Sequence, residues 1–260
     1  MDISHYTAKI HRMDKGSHKG QNGKVMVIGG SELFHAASAW ALEVVSAMVD
    51  MVFYSSVPEN NKLIAEAKKN FWSGVVVPRG EVKNYIDEAN VILIGPGMTR
   101  EEDTKRITDD LLSAYPTKKW VVDAGALQMM EPAKLNEHMI ITPHASEYER
   151  LIGNAKGEDV LETGVTILLK GQEDQVFTKD SKEVITGGNP GMTKGGTGDA
   201  LAGLVAGLYT LTEDPFVAAV VGSYVNKKAG DELYKSVGPF FTTNQLVEQI
   251  PKTLKDVLGY

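Results

Sequence analysis

Seven short, nearly continuous apolar runs recur along this chain and limit its fold more than any other feature. They are KVMVIGG from Lys24, MVFYSSV from Met51, VVVP from Val75, VILIG from Val91, KWVVDAG from Lys119, MIITPH from Met139 and VTILLKG from Val165. A strand with one wet face alternates apolar and polar residues, whereas a strand apolar throughout is covered on both faces, as in a parallel sheet. Helical periodicity fills several of the intervals, near residues 36–49, 61–69, 101–114 and 145–152. This alternation predicts an α/β fold in three layers, helices on both faces of a mainly parallel central sheet.

After the run at Val165 the pattern changes. QVFTKD and KEVITGG read as a hairpin, and GTGDALAGLVAGLYTL puts Leu201, Leu204, Val205, Leu208 and Leu211 on one helical face. Residues 216–234 and 243–258 read as further helices, with Pro215 and Pro239 punctuating their connections. The 260 residues contain no repeat and no linker, so one domain over residues 1–260 is expected.

Thirty-four acidic against 27 basic side chains give a net charge of −7, which disfavours nucleic acid and anionic membrane as partners and leaves a small molecule. Cysteine is absent, which excludes a disulfide framework, a thiolate metal site and a cysteine nucleophile. The polar amino terminus has no signal-peptide core and no run is long enough to span a bilayer, so a cytoplasmic protein is expected.

The segment richest in chemistry is NPGMTKGGTGDALAG, Asn189 to Gly203. Glycines let a backbone approach its ligand closely, and the unpaired N–H groups at a helix start favour a phosphate. Gly195, Gly196 and Gly198 supply that access, and Asp199 follows in the first helical turn, where a carboxylate can take a proton from an attacking hydroxyl. In a plainer reading Asp199 only caps a helix and the glycines make a surface turn; the density of the pattern favours the anion site. A P-loop is excluded because GxxxxGK followed by Ser or Thr is missing, and GPGMTR at Gly95 lacks the third glycine of a dinucleotide fingerprint.

These residues resemble a known family. GGTGD, Gly195 to Asp199, is similar to the anion-hole and catalytic-base motif of ribokinase-like enzymes, and NPGMTKGGTGDALAG resembles the version found in NAD(P)H-hydrate dehydratases. HKGQNGKVMVIGGS at His18, VILIGPG at Val91, VVDAGAL at Val121, ITPHASEYERL at Ile141 and TILLKG at Thr166 agree in order, so the resemblance covers roughly residues 18 to 235.

The resemblance implies a ribokinase-like fold and a lyase that uses ADP or ATP, with magnesium, to dehydrate hydrated NADH or NADPH. Asp199 would deprotonate the ring hydroxyl, and the N–H groups of Gly196, Thr197 and Gly198 would stabilise the transferring phosphoryl group. Lys170, Gly171, Gln172, Glu173 and Asp174, with Gly198, match the nucleotide loop; Ala37, Gly97, His144 and Asp199 match the positions facing the hydrated dinucleotide. By the same analogy Glu147 would help hold magnesium through water, its alternative being a solvent-facing acid at a helix start. His144 and Glu147 alone make a poor zinc pair without HExxH.

The chain departs from the family at three places: Gln172-Glu173-Asp174 puts two acids where small neutral residues are usual, Ala36 replaces a common glycine, and Gly125 replaces a common aspartate. Backbone contacts are those expected to survive at the acidic loop. Lys194 is a further candidate for phosphate, while Trp40, Trp72 and Trp120 read as core or interface anchors. The rival functions are a small-molecule kinase of the same fold, acting on a hydroxymethylpyrimidine, a thiazole alcohol or a sugar, and a nucleotide-binding module without catalysis. Family members also imply a homo-oligomer, often a tetramer, and the 17 residues before His18 are too few for the epimerase domain to which many are fused.

Overall fold

The computed structural model describes residues 1–67 and 73–260. Among the described residues nine strands form one sheet: β1 Lys24–Ile28, β2 Met51–Ser55, β3 Val75–Val76, β4 Val91–Ile94, β5 Lys119–Val122, β6 Met139–Ile141, β7 Thr166–Leu169, β8 Asp174–Phe177 and β9 Lys182–Ile185. Their spatial order is β3-β2-β1-β4-β5-β6-β7-β8-β9, parallel through β7 and antiparallel across β8 and β9. Each apolar run from the sequence is a strand of this sheet, and the predicted hairpin is its antiparallel edge.

The helices are α1 Ser4–Thr7, α2 His35–Ser46, α3 Pro58–Ala67, α4 Val82–Ile86, α5 Glu102–Ala114, α6 Ala124–Met129, α7 Ala145–Asn154, α8 Thr197–Thr210, α9 Pro215–Val237 and α10 Thr243–Leu258. The short α1, α4 and α6 have no periodic pattern long enough to be read from sequence. The end of the helix expected over 61–69 and the expectation for Trp72 lie outside the described residues.

Successive strand residues alternate between two cores, which makes the layers. Val25, Val27, Val91, Leu93 and Val121 pack under α2, α8, α9 and α10; Met26, Ile28, Ile92, Ile94 and Trp120 pack under α4, α5, α6 and α7. This is the three-layer α/β/α architecture. On the first face α8 lies against α2, with Gly203 at the Ala41 backbone and Gly207 at Met48. The carboxyl ends of the parallel strands therefore open onto the start of α8, the place where such sheets bind ligands.

Candidate active site

Helix α8 begins at Gly196, whose φ of +98° is left-handed and whose missing side chain leaves room for the Trp40 ring, 2.1 Å from where a Cβ would sit. Gly196 is thus the N-cap and Asp199 the third helical residue, so Asp199 does not cap the helix. Trp40, set aside from the site in the sequence reading, instead backs the glycine turn and donates from Nε1 to Asn244 Oδ1 at 2.5 Å.

The turn presents its N–H groups unequally. That of Thr197 makes a long 3.4 Å contact to the Lys194 carbonyl, and its hydroxyl donates to Met192 O at 2.8 Å. Among the described residues the Gly198 N–H has no backbone acceptor, as the first N–H groups of a helix generally lack one. The Gly198 N–H is accordingly the freer of the two to meet an anion.

Asp199 sits in a charged cluster drawn from four elements. Lys170, just past β7, donates to Asp123 Oδ1 at 2.8 Å, and Asp123, just past β5, also accepts from Thr142 Oγ1 at 2.8 Å. The Lys170 ammonium lies 3.4 Å from where a Gly198 Cβ would be. Burial, reinforced by the charges of Asp123 and Glu147 and opposed by Lys170, pushes the Asp199 carboxyl up to about 7. Burial works against the Lys170 ammonium, but Asp123, Glu147 and Asp199 together raise its pKa. A carboxylate poised near neutrality beside a fixed cation suits proton abstraction at a phosphate site.

Asp123 was not singled out from sequence, although an acid at the carboxyl end of a parallel strand is a usable signal. Gly125 beside it has a packing reason: a Cβ there would come within 2.1 Å of the Met98 carbonyl, so the family's usual aspartate would not fit without a backbone shift.

A cleft of about 480 Å³ opens beside this cluster, walled by Lys170, Gly171, Gln172 and Asp174, by 187–190, Met192 and Thr193, by Thr197, Gly198 and Leu201, and by Asn226 and Lys227 on α9. Five of the six positions expected to hold nucleotide line it. Glu173 does not: it is exposed and lies outside the cleft wall. Asp174 is not a repulsive acid either. Its carboxylate turns inward, accepting from Gly171 N at 2.9 Å and Ser223 Oγ at 2.8 Å, with Lys227 Nζ at 3.3 Å.

Lys227, 7% exposed, also donates to the carbonyls of Gly171, Gln172 and Gly187 at 3.0–3.4 Å. It thereby holds both walls of the cleft, and Asp231 holds the second wall through Gly188 N and Asn189 Nδ2, each at 3.0 Å. Nothing in the sequence singled out Lys227 or Asp231, because both lie on a helix with no motif. The Lys194 ammonium turns to the Pro239 carbonyl and sits 5.0 Å over the Phe241 ring.

The residues expected to face the dinucleotide fall into two groups. Gly97 and Ala37 meet, a Cβ on Gly97 lying 3.0 Å from that of Ala37, next to the Phe34 carbonyl and Gly30. His144 bridges to Lys170 across the ends of β6 and β7, half-exposed, its Nδ1 accepting from Glu147 N at 3.3 Å. Glu147 is 5% exposed, which overturns the solvent-facing alternative; its oxygens accept from His144 N and Gln128 Nε2, each at 2.8 Å. Among the described residues no three acidic or histidine side chains are arranged to chelate a metal directly. No described helix is long and apolar enough to cross a membrane.

A family model described as NAD(P)H-hydrate dehydratase matches residues 25–252. The chain belongs to the NAD(P)H-hydrate dehydratase family. A bifunctional NAD(P)H-hydrate repair enzyme, Nnr, of Methanocaldococcus jannaschii is 33% identical over 253 residues, covering 95% of this chain and 51% of that protein. The ADP-dependent (S)-NAD(P)H-hydrate dehydratase of Nitrosopumilus maritimus is 31% identical over 265 residues, covering 92% of this chain and 91% of that one. The chain thus spans about half the length of the bifunctional relatives.

The fold is shared with a ribokinase-like protein of Enterococcus faecalis, at a TM-score of 0.86 and 24% identity over 99% of this chain and 95% of that one. It is shared as well with the ADP/ATP-dependent NAD(P)H-hydrate dehydratase of Bacillus subtilis co-crystallised with ATP and Mg2+, at a TM-score of 0.80 and 23% identity over 98% and 97%. Members of the dehydratase family thus have the ribokinase-like architecture seen in this chain.

Proposed function

We propose that residues 1–260 act as one catalytic unit, an ADP- or ATP-dependent dehydratase that returns hydrated NADH or NADPH to the reduced cofactor. The observation that carries this is Asp199, held near neutral pKa at the mouth of the glycine turn with Lys170 beside it. Family membership favours the dehydratase over a small-molecule kinase of the same fold.

Water leaves a ring carbon poorly at neutral pH. Asp199 takes the proton of the ring hydroxyl, whose oxygen bonds to the terminal phosphorus of the nucleotide while the bond from that phosphorus to its bridging oxygen breaks. The Gly198 N–H, helped by Gly196 and Thr197, and the Lys170 ammonium offset the charge on the transferring group. The nitrogen lone pair then expels phosphate, and loss of the proton on the adjacent carbon restores the dihydropyridine.

Lys170, Gly171, Gln172 and Gly198 would meet the nucleotide in the cleft, with Asp174 shaping the loop and touching nothing negative. Ala37, Gly97 and His144 would line the path of the dinucleotide. Magnesium, which keeps several waters and prefers phosphate oxygens, fits this donor set when carried mainly by the nucleotide, with Glu147 reaching it through water. It would neutralise phosphate charge there. A cytoplasmic homo-oligomer, tetrameric as in the family pattern, is part of the same reading, and light scattering would count its subunits.

The test is direct. Purified protein with chemically prepared NADH hydrate, magnesium and either ADP or ATP should regain absorbance at the dihydronicotinamide band, and Asp199→Asn should not. Failure of the wild type with both nucleotides would sink the dehydratase reading and leave the kinase to be tried with alcohols.

A further inference from the structure

Arg79 follows β3 at the carboxyl rim of the sheet, on the side away from the nucleotide cleft. Its Nη2 donates to the Gly29 carbonyl at 3.0 Å, and its Nε is shut off from water with no acceptor. Among the described residues no carboxylate bears on it, Tyr54 being its one electrostatic partner. Burial pushes its pKa down, and only the Tyr54 hydroxyl opposes that. The wall around it is polar and equally short of partners: Ser56 Oγ is buried without one, 2.4 Å from where a Gly30 Cβ would be.

A guanidinium partly withdrawn from water, its Nε enclosed, is costly to keep without a counter-ion, and the fold offers it no counter-charge. A ligand anion does. Its position says which anion. Strands lie roughly 4.8 Å apart, so the end of β1, where the guanidinium is anchored, is about 10 Å from the end of β5 with Asp123 and about 19 Å from the end of β7 with Lys170. Phosphates of a mononucleotide seated at Gly198 belong to the far end of that span. Gly97 and Ala37 lie between Asp199 and Arg79, and Gly97 touches Gly30.

We infer that Arg79 is the receptor for the bridging diphosphate of the hydrated dinucleotide, holding it while the hydroxylated ring lies at Asp199. The inference rests on the dehydratase reading above. A planar fork of donors, with Nη2 spent on Gly29 and Nε enclosed, leaves Nη1 open to meet a phosphate oxygen in a charge-assisted hydrogen bond.

The experiment compares wild type, Arg79→Met and Arg79→Lys with three substrates: hydrated NADH, hydrated NADPH, and the hydrate of reduced nicotinamide riboside, which carries no phosphate. Arg79→Met should raise KM for both dinucleotide hydrates roughly tenfold or more while leaving KM for the nucleotide unchanged. It should leave kcat/KM for the riboside untouched, with Arg79→Lys in between. Because a partly buried charge without a counter-ion has been removed, the ligand-free Met variant should melt no lower than wild type. An equal loss on dinucleotide and riboside, or a fall in Tm, would make Arg79 structural and overturn the inference. A loss confined to hydrated NADPH would move the contact to the 2′-phosphate and also overturn it. If wild type turns over none of the hydrates, the dehydratase reading has failed, and calorimetric titration with inorganic pyrophosphate decides the anion site alone. Binding lost in Arg79→Met supports it, and equal binding overturns it.

Discussion

Asp174 on the cleft side of the rim is a buried charge and Arg79 on the opposite side a partly buried one, and the fold treats them in contrary ways. Asp174 is satisfied inside the protein by Gly171 N, Ser223 and Lys227, whereas Arg79 has one carbonyl and no counter-charge. The first charge builds a wall; the second is left for a ligand. The contrast teaches that a charged residue near a phosphate site is read by its partners and not by its sign. Two acids beside a polyanion looked adverse in the sequence, yet one is neutralised within the loop and the other lies outside the cleft. Between the two sides Asp199 is a third case, neither paired nor left alone, with Lys170 on one hand and Asp123 and Glu147 on the other.

The largest effect should come from that middle position. Asp199→Asn removes the base and should lower kcat by a factor on the order of 10²–10⁴ without raising KM for nucleotide, as steady-state kinetics would show. A loss appearing only in KM would mean that Asp199 merely belongs to the paired side. Lys227→Met comes next, because it leaves the Asp174 carboxylate buried without its cation, and should cost about 3–5 kcal/mol in denaturant unfolding and weaken nucleotide binding. Adding Asp174→Asn should recover much of the stability; if it does not, the pairing is not what holds the loop.

Gly196→Ala tests the turn that both sides share. A left-handed φ and the Trp40 ring oppose the methyl group, so stability should fall by roughly 1–3 kcal/mol, together with kcat. The smallest effect is on pH. With its folded pKa raised from 3.8 to about 7, Asp199 holds a proton in the native state that the unfolded chain releases. This contribution favours folding below pH 3.8 and fades as pH rises through about 7, while activity needs the ionised base and rises over the same upper limb. Asp199→Asn should therefore melt higher than wild type at pH 8, and the activity profile of the wild type should bend near pH 7.

The glycine turn and its aspartate were legible because everything that makes them work is local: five residues, a helix start and a carboxylate one turn in. The strands were legible because burial on both faces leaves a continuous apolar run. Gly97 and Ala37 came from the family pattern, and the fold does bring them into contact. Asp123, Lys227, Trp40 and Arg79 were not legible. Lys170 meets Asp123 across 47 residues of chain, and Lys227 meets Gly171 across 56.

By itself, then, the sequence determined the layer architecture and the glycine turn at a helix start with a carboxylate one turn in, since hydrophobic period, backbone freedom and helix-end charge act over a few neighbouring residues. Tertiary structure decided how each charge is balanced: that Asp199 is lifted toward neutrality, that Asp174 is harmless, that Lys194 turns to the Pro239 carbonyl, and that Arg79 waits without a counter-ion. The reason is physical, because desolvation and charge pairing depend on what distant segments bring within a few ångströms, and no stretch of chain carries that information alone.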